Sequence, residues 1–408
     1  MNKPVNWLGK ELTLEIEKVA HGGIFVARHE GRVVFVSHTL PGETVKARVF
    51  EDKGGSFARA ETTEVLKASE HRVKHFWKAA ANGAGGAEFG HIDLAYQREL
   101  KADVLEEALS RMAGIDLRPL VEAAPGDDAA KGLGYRTRVQ LHVDEWGTAG
   151  PYRERTHQVV ETKDLPLAIE DIRELGLHLK NWSGVSKIEI AASNTGNLQY
   201  SVDKKIKGDE RLVERAAGRT FRISGGGFWQ VHRQAPDLLA GAVTGAIAKV
   251  GFDKAADNLD LYGGVGLFAG AIAAKFGNDS RITTVEAFRQ ATDDAVLNLS
   301  DLSHVKAVCA PTERFLAERV SAAAKAGIAS SEATIVLDPP RAGAGAKVVG
   351  QVLALQPKHI VYVACDPVAL ARDLKPLIAG GYELASLRAF DLFPHTHHVE
   401  AVASLVRK

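Results

Sequence analysis

The first part of the chain alternates hydrophobic and polar residues in the way that a half-buried β-strand does. Leu12, Leu14 and Ile16 are separated by polar residues, which places the three apolar side chains on one face of a strand. Further short β-rich runs, separated by glycine and proline turns, cover residues 24–28, 32–37, 44–50 and 56–67. Several short strands with turns between them predict a small β-barrel over residues 1–70.

The middle of the chain, residues 71–240, is predicted to form a second, β-rich domain. It begins with a loop rich in alanine and glycine, after which the hydrophobic spacing predicts a helix over 94–112. Gly114 is a suitable stop for that helix. Strand-like patterns then predominate from residue 134 to about residue 218. The helix is a candidate to pack on the carboxy-terminal domain instead of on the strands around it.

Strands and helices alternate in the last part of the chain, residues 241–408. Alternation of this kind predicts a parallel, doubly wound α/β sheet with a Rossmann-like fold. Sheets of this type bind ligands beyond the carboxyl ends of their strands. The chemically suggestive residues come at strand ends, and the predicted strands cover residues 258–262, 282–286, 334–337 and 359–364.

The composition of the chain excludes several classes of protein. Lys and Arg total 51 and Asp and Glu total 51, so the formal net charge is zero and a polybasic protein is excluded. Two cysteines cannot by themselves ligate an iron–sulfur cluster or build a structural zinc site. No apolar run predicts a membrane span, and the opening residues lack the apolar stretch of a secretion signal. We therefore expect a soluble, cytoplasmic protein that does not associate with membranes.

A glycine turn at the end of the first strand of the carboxy-terminal domain is the first candidate site. Gly264 and Gly266 would let the backbone approach a nucleotide-like ligand at a helix N-terminus. Glu286 ends the next strand, at a position where an acid can hold a pair of ribose hydroxyls. Together they suit S-adenosylmethionine as well as NAD, with a packing turn and a surface glutamate as structural alternatives. The glycine spacing differs from the Gly-x-Gly-x-x-Gly of dinucleotide enzymes.

Two further strand ends carry groups that could perform chemistry. Asp338 is followed by two prolines and Arg341, which makes a stiff loop because proline fixes its backbone torsion. Cys365 lies in a strand-to-helix loop, where a helix N-terminus could stabilise a thiolate nucleophile. A buried core cysteine is an equally good interpretation of Cys365 taken alone. Cys309 lies in an ordinary β-like run and is expected to be part of the core.

The segment from Phe393 to Glu400 holds three histidines and a glutamate. On a strand, His398 and Glu400 share one face, while His395 and His397 share the other. We predict no metal site, because no cysteine or second acidic cluster completes a ligand set nearby. A general base at Glu400 is the sharper hypothesis, and a polar edge strand is its structural alternative.

Together these segments resemble those of the S-adenosylmethionine-dependent RNA 5-methyluridine methyltransferases, over nearly the whole chain. The opening barrel resembles the TRAM domain of that family, an OB-like RNA-binding module. The segments that carry the resemblance, all in the family order, are Phe228-Trp-Gln-Val231, Asp260-Leu-Tyr-Gly-Gly-Val-Gly266, Asp338-Pro-Pro-Arg341, Cys365-Asp-Pro367 and His398-Val-Glu400. The resemblance implies an RNA (uracil-C5-)-methyltransferase with a Rossmann-like catalytic domain over 241–408.

The resemblance also implies a role for individual residues. Cys365 matches the nucleophile that adds to carbon 6 of the uracil, and Glu400 matches the base that removes the carbon-5 proton. The positions that match the binding site for S-adenosylmethionine are Gln230, Tyr262, Glu286 and Asp338. Independent chemistry agrees, because carbon 5 of uracil becomes nucleophilic only after a thiolate has added to carbon 6. The target base must also leave its stack to reach a buried thiol.

Many members of the family hold an iron–sulfur cluster on four cysteines, and this chain departs from that pattern. The matching positions are Lys78, Ala84, Ala87 and Leu165, so we expect no iron–sulfur cluster and a loop held by packing. Leu267 and His232 stand where some relatives have asparagine. The catalytic pair is unaffected by these departures.

The expected partner is RNA, with no obligate protein partner inferred. Arg136 and Arg138 lie in a segment that resembles one near the RNA in the family, and Phe228 is a third candidate contact. The TRAM-like barrel favours a uridine of 23S ribosomal RNA over one of transfer RNA. The alternatives are an inactive RNA-binding or ribosome-assembly protein, a transfer-RNA uridine methyltransferase, and a methyltransferase acting on RNA cytosine or on an amino group. A nicotinamide dehydrogenase fits least well.

Overall fold

The amino-terminal strands close into a barrel, as the alternating pattern predicts. These strands are β1 (Glu11–Ala20), β2 (Ile24–His29), β3 (Arg32–Ser37), β4 (Thr44–Glu51) and β5 (Phe57–Lys67). In the computed structural model, which describes residues 6–326 and 332–408, they follow the order β1-β2-β3-β5-β4 around the barrel. Leu12, Leu14 and Ile16 are buried inside it, and the residues between them are exposed.

Two helices and a short strand follow the barrel. They are α1 (Lys78–Ala81), α2 (Leu94–Ala108) and β6 (Val121–Ala123). Asp93 caps α2 by accepting a hydrogen bond from the backbone N–H of Tyr96. The helix continues as a π-helical turn over Leu109–Ala113 and stops at Gly114, whose φ of 69° suits a glycine. The predicted helix over 94–112 is therefore present and ends at the predicted glycine.

The central domain contains a five-stranded sheet and a separate two-stranded hairpin. Its elements are β7 (Arg138–Val143), β8 (Ala149–Gly150), α3 (Glu170–Glu174), β9 (Lys187–Ala192), β10 (Leu198–Val202), β11 (Lys205–Gly208), β12 (Arg211–Ala216) and β13 (Arg219–Ser224). The sheet order is β11-β10-β9-β7-β8, and β12 pairs with β13. The antiparallel pairing of these strands confirms the β-rich character expected of this region.

The carboxy-terminal part of the chain alternates strands and helices around one large sheet. Its helices are α4 (Ala235–Val250), α5 (Leu267–Phe276), α6 (Arg289–Asn298), α7 (Thr312–Ala326), α8 (Gly345–Leu355) and α9 (Pro367–Ala379). Its strands are β14 (Asn258–Leu261), β15 (Ile282–Glu286), β16 (Val305–Cys309), β17 (Thr334–Leu337), β18 (His359–Ala364), β19 (Tyr382–Asp391) and β20 (Glu400–Arg407). The Rossmann-like α/β fold predicted for this region is confirmed.

The large sheet also contains a strand from outside the predicted catalytic domain. Its order is β16-β15-β14-β17-β18-β20-β19-β6, so β6 forms one edge. Ala102, Leu105 and Leu109 on the preceding helix lie in the same buried cluster as residues of β14 and β18. The segment 94–123, which the sequence pattern assigns to the central domain, thus packs with the large sheet. Helix α4 also packs on that sheet, against β18 and β20, although it begins before residue 241.

No helix in the described ranges 6–326 and 332–408 is long and apolar enough to cross a membrane.

Candidate active site

Neighbouring strands of the large sheet bring the candidate residues to one edge. Strand β14 pairs in parallel with both β15 and β17, and β17 pairs in parallel with β18. Tyr262, Glu286, Asp338 and Cys365 each stand at or directly after the carboxyl end of one of these strands. Because the carboxyl ends of parallel strands meet at the same edge, these four residues belong to one region of the surface.

Glu286 holds the glycine turn through its carboxylate. Its two oxygens accept hydrogen bonds from the backbone N–H of Gly264, at 3.1 Å, and of Phe288, at 2.8 Å. Gly263 donates to the carbonyl of Val285 at 3.0 Å, and a side chain at Gly263 would collide with the Thr284 hydroxyl. The turn therefore needs glycine at position 263, and it brings backbone and carboxylate together where a ribose could bind.

Asp260 is a buried acid beneath this turn, and the sequence analysis assigned it no role. It accepts hydrogen bonds from the Thr284 hydroxyl and from the backbone N–H of Ala269, both at 3.1 Å and both at Oδ2. Its other oxygen, Oδ1, has no hydrogen-bond partner among the residues that the structure describes. Burial raises the pKa of Asp260 to about 6. Burial, together with the nearby charge of Asp260, raises the pKa of Asp338 to about 7.

Cys365 is half-buried between β18 and α9. The expectation for Cys309 was wrong, since it is exposed at the end of the edge strand β16 and is not part of the core. The next residue, Asp366, caps α9 by accepting a hydrogen bond from the backbone N–H of Ala369 at 2.8 Å. Burial raises the pKa of the Cys365 thiol to about 12, and the acidic groups of Glu400 and Asp338 act in the same direction. The thiol is therefore protonated at neutral pH, and a nucleophile at this position needs a group that removes the proton.

Glu400 begins β20 and lies beside Cys365. The antiparallel pairing of β18 with β20 ends at Ala364 opposite Ala401, so Cys365 directly follows and Glu400 directly precedes the residues of this last matched pair. Glu400 is buried, and burial followed by repulsion from Asp338 raises its pKa to about 8. A carboxyl group with a pKa near neutrality is suited to general acid–base chemistry.

Arg341 is a cation close to this acidic group. Its charge opposes the rise in pKa of both Cys365 and Glu400. Its guanidinium donates a hydrogen bond to Nε2 of His398 at 3.2 Å. Burial lowers the pKa of His398 to about 3, with the charges of His397 and Arg341 acting in the same direction, so the imidazole is neutral and can accept this bond.

Cys365 opens into a cavity of about 150 Å³ that three parts of the chain enclose. The carboxy-terminal domain contributes Arg341 and His398, helix α2 contributes Lys101, and the barrel contributes its hairpin residues 20–23. The barrel contribution was not predicted, since His21-Gly22-Gly23 has the sequence of an ordinary turn. The cavity is concave, mostly enclosed by side chains and adjacent to the thiol, as a binding site for a small ring requires.

The three candidate RNA contacts differ in exposure. Phe228 is 69% exposed, and Arg136 lines a second cavity of about 320 Å³ together with Arg155 of the central domain. Arg138 instead lies mostly buried with its guanidinium 3.9 Å from Glu214, and burial lowers its pKa to about 10. Phe228 is therefore largely accessible and Arg136 partly accessible to a ligand, whereas Arg138 faces the interior of the central domain.

Gln230 stands in the loop that leads from β13 into α4. It follows Trp229, which is buried, and its own backbone carbonyl accepts a hydrogen bond from the Thr137 hydroxyl at 3.4 Å. Thr137 also donates its backbone N–H to the carbonyl of Val231 at 2.8 Å. These bonds attach the loop that carries Gln230 to the start of β7.

The loop that would hold the iron–sulfur cysteines is packed by small apolar residues. Ala84, Ala87 and Leu165 are buried together in the core of the central domain. Gly85 donates its backbone N–H to the carbonyl of Tyr152 at 2.9 Å. The expectation that packing holds this loop agrees with these contacts.

Glu88, His397 and His398 place possible metal-ligand atoms within 4.8 Å of one another. Each of these atoms already has a protein partner, since Glu88 accepts a hydrogen bond from His397 and His398 accepts one from Arg341. Burial opposes ionisation of Glu88, but the hydrogen bond and charge of His397 hold its pKa at about 2. These two hydrogen bonds join the segment after the barrel, the loop before β20 and the loop that holds Arg341.

Two family models match the two ends of the chain, and related sequences match nearly its whole length. The model described as tRNA (Uracil-5-)-methyltransferase matches residues 240–408, and the TRAM domain model matches residues 7–62. An uncharacterized RNA methyltransferase of Streptomyces avermitilis is 40% identical, with 98% of each chain covered. Another from Bifidobacterium longum is 37% identical, with 97% of this chain and 96% of the relative covered.

A solved structure shares the fold. The tRNA (uracil-54, C5)-methyltransferase of Pyrococcus abyssi, in complex with S-adenosyl-L-homocysteine, superimposes with a TM-score of 0.72 and 21% identity. The match covers 97% of this chain and all of that chain, so the barrel, the central domain and the large sheet correspond together. From the matching models and the whole-length relatives, the chain belongs to the tRNA (uracil-5-)-methyltransferase family, as an RNA methyltransferase with an amino-terminal TRAM domain.

Proposed function

We propose that this protein transfers a methyl group from S-adenosylmethionine to carbon 5 of a uridine in RNA, through a covalent bond between Cys365 and carbon 6 of the base. The observation that supports this most strongly is the register of β18 and β20. It brings the Cys365 thiol, which lines the enclosed cavity, and the buried carboxyl group of Glu400 to adjacent ends of two paired strands. A nucleophile and a base side by side are what methylation at carbon 5 requires.

The residues at the adjacent strand ends fit the methyl donor. The carboxylate of Glu286 and the glycine turn at Gly264 offer acceptors and a close backbone approach for a ribose. Tyr262, Asp338 and Gln230 are the other residues that we assign to donor binding. S-adenosylmethionine supplies an electrophilic methyl group when it is bound. The buried Asp260, with one unpartnered oxygen, supports the turn from below.

The proposed reaction begins with loss of the Cys365 thiol proton. The thiolate electron pair forms a bond to carbon 6 of the uracil, and the ring becomes an enolate whose carbon 5 is nucleophilic. Carbon 5 then takes the methyl group, after which Glu400 removes the proton that remains on carbon 5. The electrons of that C–H bond restore the ring double bond and break the bond between carbon 6 and sulfur. Methylated uracil and the free Cys365 thiolate result.

The charges around the cavity favour Cys365 as the nucleophile and Glu400 as the base. Glu400 has a pKa of about 8, so part of the population carries the carboxylate near neutral pH and this fraction grows as the pH rises. A carboxylate with this pKa is a stronger base than an ordinary glutamate. Arg341 lies close enough to counter the negative charge that the thiolate and the enolate bring into the cavity. A positive charge in a low-dielectric site is effective because few waters screen it.

We propose that the RNA crosses the face formed by the barrel and the central domain. Arg136 and Arg155 line the second cavity, which shares the wall formed by Gly23 and His397 with the first one. Phe228 is exposed and could stack on an unpaired base. The target uridine would have to be flipped or looped out to enter the enclosed cavity at Cys365.

We propose that the uridine belongs to ribosomal RNA or transfer RNA of the cytoplasm, of which the TRAM-like barrel alone would favour ribosomal RNA. The Pyrococcus abyssi enzyme, which by its name acts on transfer RNA, matches 97% of this chain, and that coverage extends into the barrel. The presence of a barrel therefore does not distinguish the two substrates. Methylation of fractionated ribosomal and transfer RNA distinguishes them.

The direct test is methylation of RNA from a strain that lacks the gene. The purified protein is incubated with tritiated S-adenosylmethionine and total RNA, which is then fractionated and digested to nucleosides. We expect label in 5-methyluridine, and we expect none with Cys365→Ala. Label in a different nucleoside would contradict the assignment to uracil. Binding of both donor and RNA without transfer would support the inactive RNA-binding protein instead.

A further inference from the structure

The hairpin between β1 and β2 reaches from the barrel to the catalytic cysteine. The imidazole Nε2 of His21 lies 2.8 Å from Oδ2 of Asp366, the residue that follows Cys365. His21 and Cys365 line the same cavity of about 150 Å³. The barrel, matched by the family as a TRAM domain, therefore contributes a titratable side chain to the cavity in which the chemistry would occur.

The hairpin is held in this position on both sides. Gly23 approaches the carboxy-terminal domain so closely that a Cβ atom added there would lie 2.8 Å from Cβ of His397. On the other side, the ammonium group of Lys18 donates a hydrogen bond to Glu107 of α2 at 2.7 Å. These contacts fix the turn between them, so the position of His21 over the cavity is a defined feature of the fold.

Asp366 orients the imidazole while it caps a helix. Its Oδ1 accepts the backbone N–H of Ala369 and its Oδ2 faces His21, so both oxygens have fixed partners. The Nδ1 atom of His21 has no hydrogen-bond partner among residues 6–326 and 332–408. The hydrogen bond to Asp366 raises the pKa of His21, with burial opposing it. A histidine that carries a carboxylate on one nitrogen and is free at the other is organised as a general base.

The other charged groups around Cys365 are engaged or unsuited to take its proton. Arg341 donates to His398, and the ammonium group of Lys101 lies 2.5 Å from Asp391. Burial raises the pKa of Glu400 and of Asp338, and both acids already hold protons in much of the population near neutral pH. The proposed reaction also reserves Glu400 for the carbon-5 proton. His397 is paired with Glu88.

We propose that His21 accepts the thiol proton of Cys365, and that Asp366 orients His21 for this step. The three residues form a thiol–imidazole–carboxylate relay assembled across two domains. The proton passes from Sγ to Nδ1 of His21, directly or through one water, and the sulfur keeps the electron pair that bonds to carbon 6. When that bond breaks, the proton returns to sulfur. The inference rests on the proposed role of Cys365 as the nucleophile.

Through the relay, the barrel would take part in activating the Cys365 thiol in addition to binding RNA. A thiolate would form efficiently only while the hairpin is docked beside Asp366, so separation of the barrel from the catalytic domain would leave a protonated, unreactive thiol. About half of the His21 side chain is exposed. The imidazole can therefore exchange its proton with solvent between reaction cycles.

The thiol itself can be tested without RNA. In a Cys309→Ser background Cys365 is the only cysteine, and its alkylation by iodoacetamide is followed against pH by mass spectrometry. We expect His21→Gln to slow alkylation at pH 7 on the order of 10²-fold, the contribution typical of a general base, with the gap closing as the pH rises. His29→Gln, on the neighbouring strand β2, is the matched control and should leave the rate unchanged. An unchanged rate in His21→Gln would overturn the proposal.

Methylation assays then separate the relay from a role in binding RNA. We expect His21→Gln to lower kcat with little change in the KM for RNA, and to shift the rising limb of the pH–rate profile to higher pH. Asp366→Asn, which can still cap α9, should lower kcat less than His21→Gln does. A rise in KM alone, with kcat and alkylation unaffected, would identify His21 as an RNA contact only. Failure of the proposed function would look different, because methyl transfer would then persist in Cys365→Ala or be absent from the unaltered protein.

Discussion

The ammonium group of Lys101 lies 2.5 Å from Oδ1 of Asp391, and neither side chain is more than 1% exposed. This ion pair joins helix α2 to strand β19, and its lysine also lines the cavity at Cys365. Lys101 donates a further hydrogen bond to the carbonyl of Phe393 at 3.1 Å, at the start of the loop that leads to Glu400. One buried pair therefore connects the segment after the barrel, strand β19 and the loop that leads to Glu400.

Replacement of one partner of this pair should be severely destabilising. Lys101→Met leaves the carboxylate of Asp391 buried without its cation, and we expect a loss of about 3–5 kcal/mol in the free energy of unfolding. Urea denaturation followed by circular dichroism measures the loss. The double variant Lys101→Met with Asp391→Leu removes both charges and should recover most of it. A single variant within about 1 kcal/mol of the parent would show that the pair is not desolvated as its burial indicates.

The close approach of Gly23 to His397 predicts that a side chain at position 23 will destabilise the protein. Gly23→Ala would place a Cβ atom 2.8 Å from Cβ of His397 and would also force alanine to adopt a φ of 72°. We expect a cost of about 2–4 kcal/mol, combining a steric contact with the strain of a left-handed backbone. The barrel hairpin should also move away from the catalytic cavity.

Gly31→Ala is the matched control for this substitution. Gly31 has a φ of 78° with nothing within 4 Å of its added Cβ, so only the backbone strain of about 1–2 kcal/mol applies. The difference between the two variants in thermal unfolding isolates the contact with His397. Equal losses of stability in the two variants would show that the contact between residue 23 and His397 adds nothing to the backbone strain.

The sequence was a good guide to features that local patterns determine. The alternation of Leu12, Leu14 and Ile16 predicted the first barrel strand, because side chains on a strand alternate between two faces. The strand ends at Glu286, Asp338 and Cys365 were placed correctly, because buried parallel strands are continuous apolar runs that polar residues terminate.

Features that depend on long-range pairing were not predictable from the pattern. Strand β6 adds to the edge of the large sheet from far along the chain, and nothing in three residues specifies that partner. His21 has the sequence of a turn residue, and only the docking of the barrel brings it to Asp366. Arg138 is part of a basic segment, yet its guanidinium lies 3.9 Å from Glu214, which comes from a distant part of the chain that the local pattern does not specify.

The hydrogen bonds of Glu286 predict its effect on donor binding. Glu286→Gln keeps the size of the side chain but removes the negative charge of the carboxylate, which accepts hydrogen bonds from the backbone N–H groups of Gly264 and Phe288. We expect about 10- to 100-fold weaker binding of S-adenosylhomocysteine, since a hydrogen bond to a charged group is worth about 1.5–3 kcal/mol. Isothermal titration calorimetry measures the affinity. The exposed Asp279→Asn is a control that should bind normally, and normal binding by Glu286→Gln would remove Glu286 from the donor site.

The raised pKa of Glu400 predicts how stability depends on pH. The ordinary value of 4.5 applies to the unfolded chain, and the folded protein holds the proton up to a pKa of about 8. Between these values the folded state binds more protons than the unfolded state, so its stability falls as the pH rises through this window. The loss is complete above pH 8, where the buried carboxyl group is ionised.

Glu400→Gln removes this penalty, because the amide resembles the protonated acid in size and carries no charge. We expect the variant to match the parent at pH 4 and to exceed it by up to about 5 kcal/mol at pH 9, as a pKa difference of this size implies. Asp260 and Asp338 are also buried acids with raised pKa values, so both proteins should lose stability on this limb, and the difference between them isolates Glu400. Urea denaturation at a series of pH values measures it, with the exposed Glu210→Gln as the matched control. A constant difference from pH 4 to pH 9 would mean that Glu400 has the same pKa in the folded and unfolded protein, so that it is already a carboxylate at neutral pH.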